Sequence, residues 1–187
     1  MILFTIGEIG MPDNLIRDIP LIQRYAKNNE VDDFHFRAYL KGYLNMSNEK
    51  LDGIVKETTD RVWKQIDCTT CANCCKTLEI LVDNDDIQRL AARLQISKRE
   101  FTEKYIKLDD YQDKVINQIP CPFLQEDNRC SVYEDRPKSC QDYPYLFASE
   151  FRSRTLSAIS NSSCCPIVFN VWQILKRRLW KRRRDRR

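Results

Sequence analysis

Four thiols fall within eight residues in the stretch Cys68-Thr69-Thr70-Cys71-Ala72-Asn73-Cys74-Cys75, and no other feature restricts the fold of this 187-residue chain as tightly. Cys121, Cys130, Cys140 and Cys165 follow, with Cys164 as a ninth. Cysteines this dense form ligand clusters in a reducing compartment and disulfide frameworks in an oxidising one. Nine is an odd number, so complete internal pairing is impossible. A chain of this length also buries enough apolar surface to fold without covalent staples.

Compartment therefore matters. Met1 to Met11 carries Glu8, lacks a basic leader and is followed by no small-residue cleavage pattern, so no signal peptide is expected. No apolar run approaches the roughly 18–20 residues of a membrane span. The expectation is a soluble, cytoplasmic protein with reduced cysteines.

The net charge of +4 is unevenly spread. Residues 176–187 hold nine of the 31 basic groups and one of the 27 acidic ones, so the preceding 175 residues carry 22 against 26, a net −4. A mildly acidic body with a basic tail is expected. The tail could meet nucleic acid or an anionic membrane surface as partner. No aromatic stacking platform accompanies the charge, and a solvated helix end whose cations suit the C-terminal dipole is the favoured reading.

Apolar spacing divides the chain into a helical extension (1–46), a cysteine-cluster domain (47–180) and the tail (181–187). Leu15, Ile16 and Ile19 share a face, and Pro20 is expected to break or kink that helix. An aromatic-rich helix over Val31 to Tyr43 holds the single histidine, His35, expected to be a packed side chain between two phenylalanines. Ser47 caps a long helix whose buried face is Leu51, Ile54, Val55, Thr58, Val62 and Ile66. Leu78 to Val82 suits a strand, Asp83 to Asp86 an N-cap, and Ile87, Leu90, Ala91 and Leu94 a helical stripe. Ser97 and Glu100 make a capping box for a helix along Phe101, Tyr105 and Leu108. Residues 111–119 read as extended, Cys121 to Tyr133 as a hairpin, and Pro137 as the start of a short helix. Phe151 to Ile159 is helical, and Pro166 opens a last helix with the stripe Val168, Val171, Trp172, Leu175 and Leu179. The fold class is α+β and mostly helical: a small metal-bound core of loops and a short hairpin surrounded by helices.

Soft thiolates select zinc, copper(I) or iron. Two C-x-x-C units share Cys71, and each lets two sulfurs converge from one turn. Cys74 and Cys75, read as extended chain, point opposite ways and serve different metals or different walls of one cluster. Tetrahedral zinc is satisfied by Cys68 and Cys71 with two thiols from 121–140. C-x-x-C-x-x-C also begins a ferredoxin-type iron–sulfur motif, although Leu78 stands where its fourth cysteine belongs. Metal identity and the number of sites stay open. Arg136, before Pro137, either lowers the charge of a sulfur-rich site or caps a carbonyl. Tyr133 and Tyr143 are expected to pack around the metal.

Over roughly residues 60–175 the chain resembles the YkgJ-type cysteine-cluster family, the C-x-x-C-x-x-C-C proteins described as zinc- or iron-chelating. The resemblance rests on Cys68, Cys71, Cys74 and Cys75, on Pro120-Cys121-Pro122-Phe123-Leu124, on Cys130-Ser-Val-Tyr133-Glu-Asp-Arg136-Pro137-Lys-Ser-Cys140, and on Tyr143-Pro144 and Cys165-Pro166. The family often places Arg after the cysteine matching Cys140, where this chain has Gln141. The resemblance implies a zinc- or iron-binding protein using up to eight thiolates, at Cys68, Cys71, Cys74, Cys75, Cys121, Cys130, Cys140 and Cys165. Cys164 has no matching family position. A flagellin lysine methylase resembles the same cysteine motif, so the alternative is an iron–sulfur enzyme of redox or methyl-transfer chemistry. No Gly-rich nucleotide loop accompanies the motif.

Overall fold

Asp18 and Pro20 together set the first helix boundary. The Asp18 side chain accepts from the Leu21 N–H at 2.7 Å, and Pro20 lies in the first turn, where a missing N–H leaves no bond unmade. Helix α1 (Ile19–Asn28) therefore begins there, and Pro20 opens a helix instead of breaking one. The computed structural model describes residues 15–180. Residues 1–14 and the tail 181–187 lie outside the described residues.

The chain continues through α2 (Glu30–Gly42), α3 (Asn48–Trp63), α4 (Asn73–Thr77), α5 (Asn84–Arg93) and α6 (Lys98–Tyr105). A hairpin of β1 (Ile106–Leu108) and β2 (Lys114–Ile116) follows, then α7 (Lys138–Asp142), α8 (Thr155–Ser162) and α9 (Pro166–Leu179). The class is the mostly helical α+β expected. Two compact units are formed, residues 15–66 with 152–180, and residues 67–151.

The first unit is built on α9. Its first seven residues, Pro166 to Trp172, are all buried, and all but Asn170 are apolar, as befits a helix enclosed on every side at that end. Helix α3, capped by Ser47, packs Leu51, Val55 and Val62 inward, and α8 also packs on α9. Two buried polar groups hold this apolar assembly in register. Asp33 accepts from the Trp172 indole N–H at 2.9 Å and from Lys176 at 2.5 Å. Asn170 receives the Ile16 N–H at 3.0 Å and donates to the Ile16 and Pro166 carbonyls, each at 2.7 Å. His35 is exposed on α2. Asp33, Phe36 and Leu40 are that helix's buried residues, and His35 is not among them. The packed histidine expected from the sequence is thus corrected.

The second unit has its own core: Ile80, Val82, Ile87, Leu90, Phe101, Ile116, Phe123 and Val132, against which Cys75, Cys130 and Cys140 pack. Asp83 and Asp86 form a complete capping box on α5. At α6 only the Ser97 half is made, to the Glu100 N–H. That helix ends at Tyr105, so Leu108 belongs to β1 and is exposed. The segment around Leu81 lies beside β2, with Val82 N–H on the Lys114 carbonyl and Ile116 N–H on the Ile80 carbonyl, both at 2.9 Å.

Candidate metal centre

The unit of residues 67–151 carries seven cysteines, and each is placed by a local turn that its sequence dictates. Asp67 accepts the Thr69 N–H at 2.9 Å and caps the single turn Cys68–Thr70. The Cys68 carbonyl then receives the N–H groups of Cys71 (3.1 Å) and Ala72 (2.8 Å), which curls the first C-x-x-C into a loop. Ala72 is buried and adopts φ 48°, a left-handed conformation unusual for a residue with a Cβ. From that reversal α4 starts, bearing Cys74 and Cys75.

The helical path corrects the extended reading of these two neighbours. On a helix, adjacent side chains are about 100° apart, not opposed, and the two sulfurs lie 3.9 Å apart in a thiol hydrogen bond. The Cys75 carbonyl accepts the Cys121 N–H at 2.9 Å, which ties α4 to the next segment. Residues 121–131 form the small hairpin expected. Leu124 bridges Cys130, the Gln125 N–H meets the Arg129 carbonyl, and Asn128 turns at φ 65°. Pro137 precedes α7, in which Cys140 lies, and the Ser139 hydroxyl donates to the Leu81 carbonyl at 2.7 Å.

Cys75 is the electrostatic hub. Its charge acts on Cys68, Cys121, Cys130 and Cys140, while Cys71 also acts on Cys68. The hydrogen bond from Cys74 leads in lowering Cys75 to about 7, opposed by burial and assisted by Lys76 and Arg136. The thiols around it move the other way. Burial pushes Cys121 up to about 11 and Cys140 up to about 12, and raises Cys68 and Cys130, with neighbouring thiolates adding to each. Burial and mutual repulsion thus oppose deprotonation of Cys68, Cys121, Cys130 and Cys140 together, while Cys75 is favoured as a thiolate.

No disulfide links any of the nine cysteines. Among the described residues, no three His, Cys, Asp or Glu side chains stand converged as a ready metal cage. The donors nevertheless fit a soft metal: they are all sulfur, they come from three segments, and Cys75, Cys130 and Cys140 pack against one apolar core that includes Cys121. Ligation would require these thiols to lose their protons and draw together.

Cys165 and Cys164 belong to the first unit, both buried, with Cys165 as the N-cap of α9. Tyr133 is more than half exposed, so the core-packing role expected for it is corrected; its ring carries the Arg136 guanidinium at 3.9 Å. Tyr143 is half-buried, edge-on to Tyr145. Cysteine spacing alone assigns no role to Lys76, whose ammonium reaches the Cys71 carbonyl at 3.2 Å and whose charge favours the Cys75 thiolate. Its position directly after a cysteine pair was the available signal.

A family model named CxxCxxCC, described as "Putative zinc- or iron-chelating domain", matches residues 67–166, just over half of the chain. The resemblance drawn from the cysteine pattern is borne out. No solved structure matches the chain.

Proposed function

The chain belongs to the CxxCxxCC family of zinc- or iron-chelating domains, and from that premise we propose that the cysteines of residues 68–140 hold zinc or iron as thiolates. What supports this reading best is the position of Cys75, which feels four other thiols drawn from the Cys68 turn, the 121–131 hairpin and α7. Lone buried cysteines behave as small apolar side chains and have no reason to gather. We assign Cys68, Cys71, Cys74, Cys75, Cys121, Cys130 and Cys140 as the ligand pool. When bound, the metal supplies a positive centre that stabilises several thiolates at neutral pH and binds three segments into one unit. The same sulfur donors accept an iron–sulfur cluster, and metal analysis separates the two chemistries. A reducing compartment such as the cytoplasm, where thiolates stay available to a metal, belongs to this proposal. No helix among the described residues is long and apolar enough to cross a membrane.

Anaerobic purification followed by metal and sulfide analysis tests the proposal. Colourless protein with stoichiometric zinc, or iron-containing protein with or without acid-labile sulfide, upholds it. A folded chain that contains none of these and takes up none on incubation refutes it.

A further inference from the structure

We propose that Tyr145 is a positioning residue of the metal centre: its hydroxyl holds the peptide group that joins Ser139 to Cys140, and so sets the direction from which the Cys140 thiol meets a metal. The inference rests on the metal-binding reading above, with Cys140 among the ligands. It starts from the backbone. Tyr145 adopts φ 63°, the left-handed region that bulky residues rarely enter. Glycine or asparagine would sit there with less strain, yet a large aromatic residue occupies the position. Such residues persist only where neighbouring contacts hold them, and they gather at binding sites.

The contacts of Tyr145 lead back to α7. Its N–H turns onto the Asp142 carbonyl at 2.7 Å, at the end of that helix. The ring stands edge-on to Tyr143, with centroids 5.8 Å apart. Its hydroxyl returns six residues to donate to the Ser139 carbonyl at 3.1 Å. A phenol is protonated at neutral pH, so the donor is in place. Helix α7 has five residues, and a helix cannot satisfy its own last carbonyls. Tyr145 supplies a donor from beyond it.

The Ser139 carbonyl and the Cys140 N–H belong to one planar peptide group. The N–H end is held as well, on the Pro137 carbonyl at 2.9 Å. With both edges of that plane fixed, the backbone that carries the Cys140 thiol is fixed, and the side chain packs against the core of this unit. Lys138 N–H on Asp86 at 3.0 Å and the Ser139 hydroxyl on the Leu81 carbonyl at 2.7 Å anchor the start of α7. Tyr145 closes its far end. Ligation draws separated thiols together, and a sulfur on a backbone already fixed loses less freedom in doing so. Partners that orient a ligand in this way are worth about tenfold to a hundredfold in metal affinity.

Anaerobic cobalt(II) titration of the full chain, read by the thiolate charge-transfer absorption, tests this on wild type, Tyr145→Phe, Cys140→Ser and the double variant. Tyr145→Phe keeps the ring, removes one oxygen and should weaken affinity about tenfold. In the Cys140→Ser background the same change should cost less than about twofold, because the sulfur it positions is gone. Equal losses in both backgrounds would make Tyr145 a general support of the fold, and no loss in either would leave it without a role; both results overturn the inference. So does a Cys140→Ser chain that binds cobalt as tightly as wild type, since Tyr145 then positions nothing that ligates. Should Tyr145→Phe not fold, Tyr145→Asn takes its place in the cycle: asparagine accepts the left-handed backbone, and its short side chain cannot reach the Ser139 carbonyl. Failure of the metal-binding reading looks different, because the wild-type chain itself would then take up no cobalt.

Discussion

Cys74 and Cys75 are neighbours with different tasks. The Cys74 hydrogen bond is the largest influence holding Cys75 near 7, so about half of the Cys75 thiol is ionised at neutral pH. Cys74→Ala removes that donor and should raise Cys75 toward the ordinary thiol range. In metal-free protein at pH 7, alkylation of Cys75 should then slow several-fold, with the labelled residue identified by mass spectrometry; an unchanged rate contradicts the assignment. The buried thiols give a second expectation. Cys121 and Cys140, raised to about 11 and about 12, are protonated at neutral pH. A metal must displace those protons, so affinity should rise with pH, by up to about tenfold per pH unit for each proton released. Zinc titration at two pH values in buffers of different ionisation enthalpy reads the proton count directly. Affinity that is flat between pH 6 and pH 8 would show that these two sulfurs do not ligate.

At the scale of elements, Asp86 organises the approach to the site. Buried at the start of α5, it accepts from Arg89, from the Asp83 N–H at 3.2 Å and from the Lys138 N–H at 3.0 Å, while Arg89 also holds the Asp135 and Arg136 carbonyls. One carboxylate thus anchors the segment bearing Arg136 and Cys140. Asp86→Ala should destabilise the chain by about 3 kcal/mol, the scale for a buried ion pair deprived of one partner. Denaturant unfolding measures the loss, and a change within error would mean that the segment is anchored elsewhere. Elements with a long period or an unambiguous cap were legible in the sequence: Ser47 and the stripe of α3, Pro166 opening α9, the hairpin between Cys121 and Cys130. Shorter ones were not. Helix α4 spans five residues, too few for any apolar period, and the left-handed Ala72 that launches it carries no glycine to announce the turn. Pro20 was misread because the same residue type opens helices and ends them, and only the bond made by Asp18 distinguishes the two. Arg136 was visible as a candidate, but which groups its charge reaches depends on the packing of three segments that local spacing does not encode.

For the molecule as a whole, the proposed ligands are spread over more than seventy residues of a unit whose apolar core is modest. Ligation energy then contributes to folding energy, and strong chelation should lower the melting temperature by many degrees and reduce hydrogen-exchange protection within residues 67–151. An unchanged melt with the metal verifiably gone would refute that coupling. A different consequence follows from Asn170, which stitches itself to both backbone groups of Ile16. The first unit is assembled from two stretches of chain separated by the second unit, and its central helix α9 belongs to the later stretch. During synthesis, residues 15–66 must therefore wait, with Phe36, Leu40 and Val55 still exposed, until about a hundred further residues have left the ribosome. The cysteines of residues 67–151 emerge within that interval. If they ligate as proposed, they can meet their metal while the rest of the protein is still unfinished, and metal supply at the moment of translation would then bear on how much native protein is made.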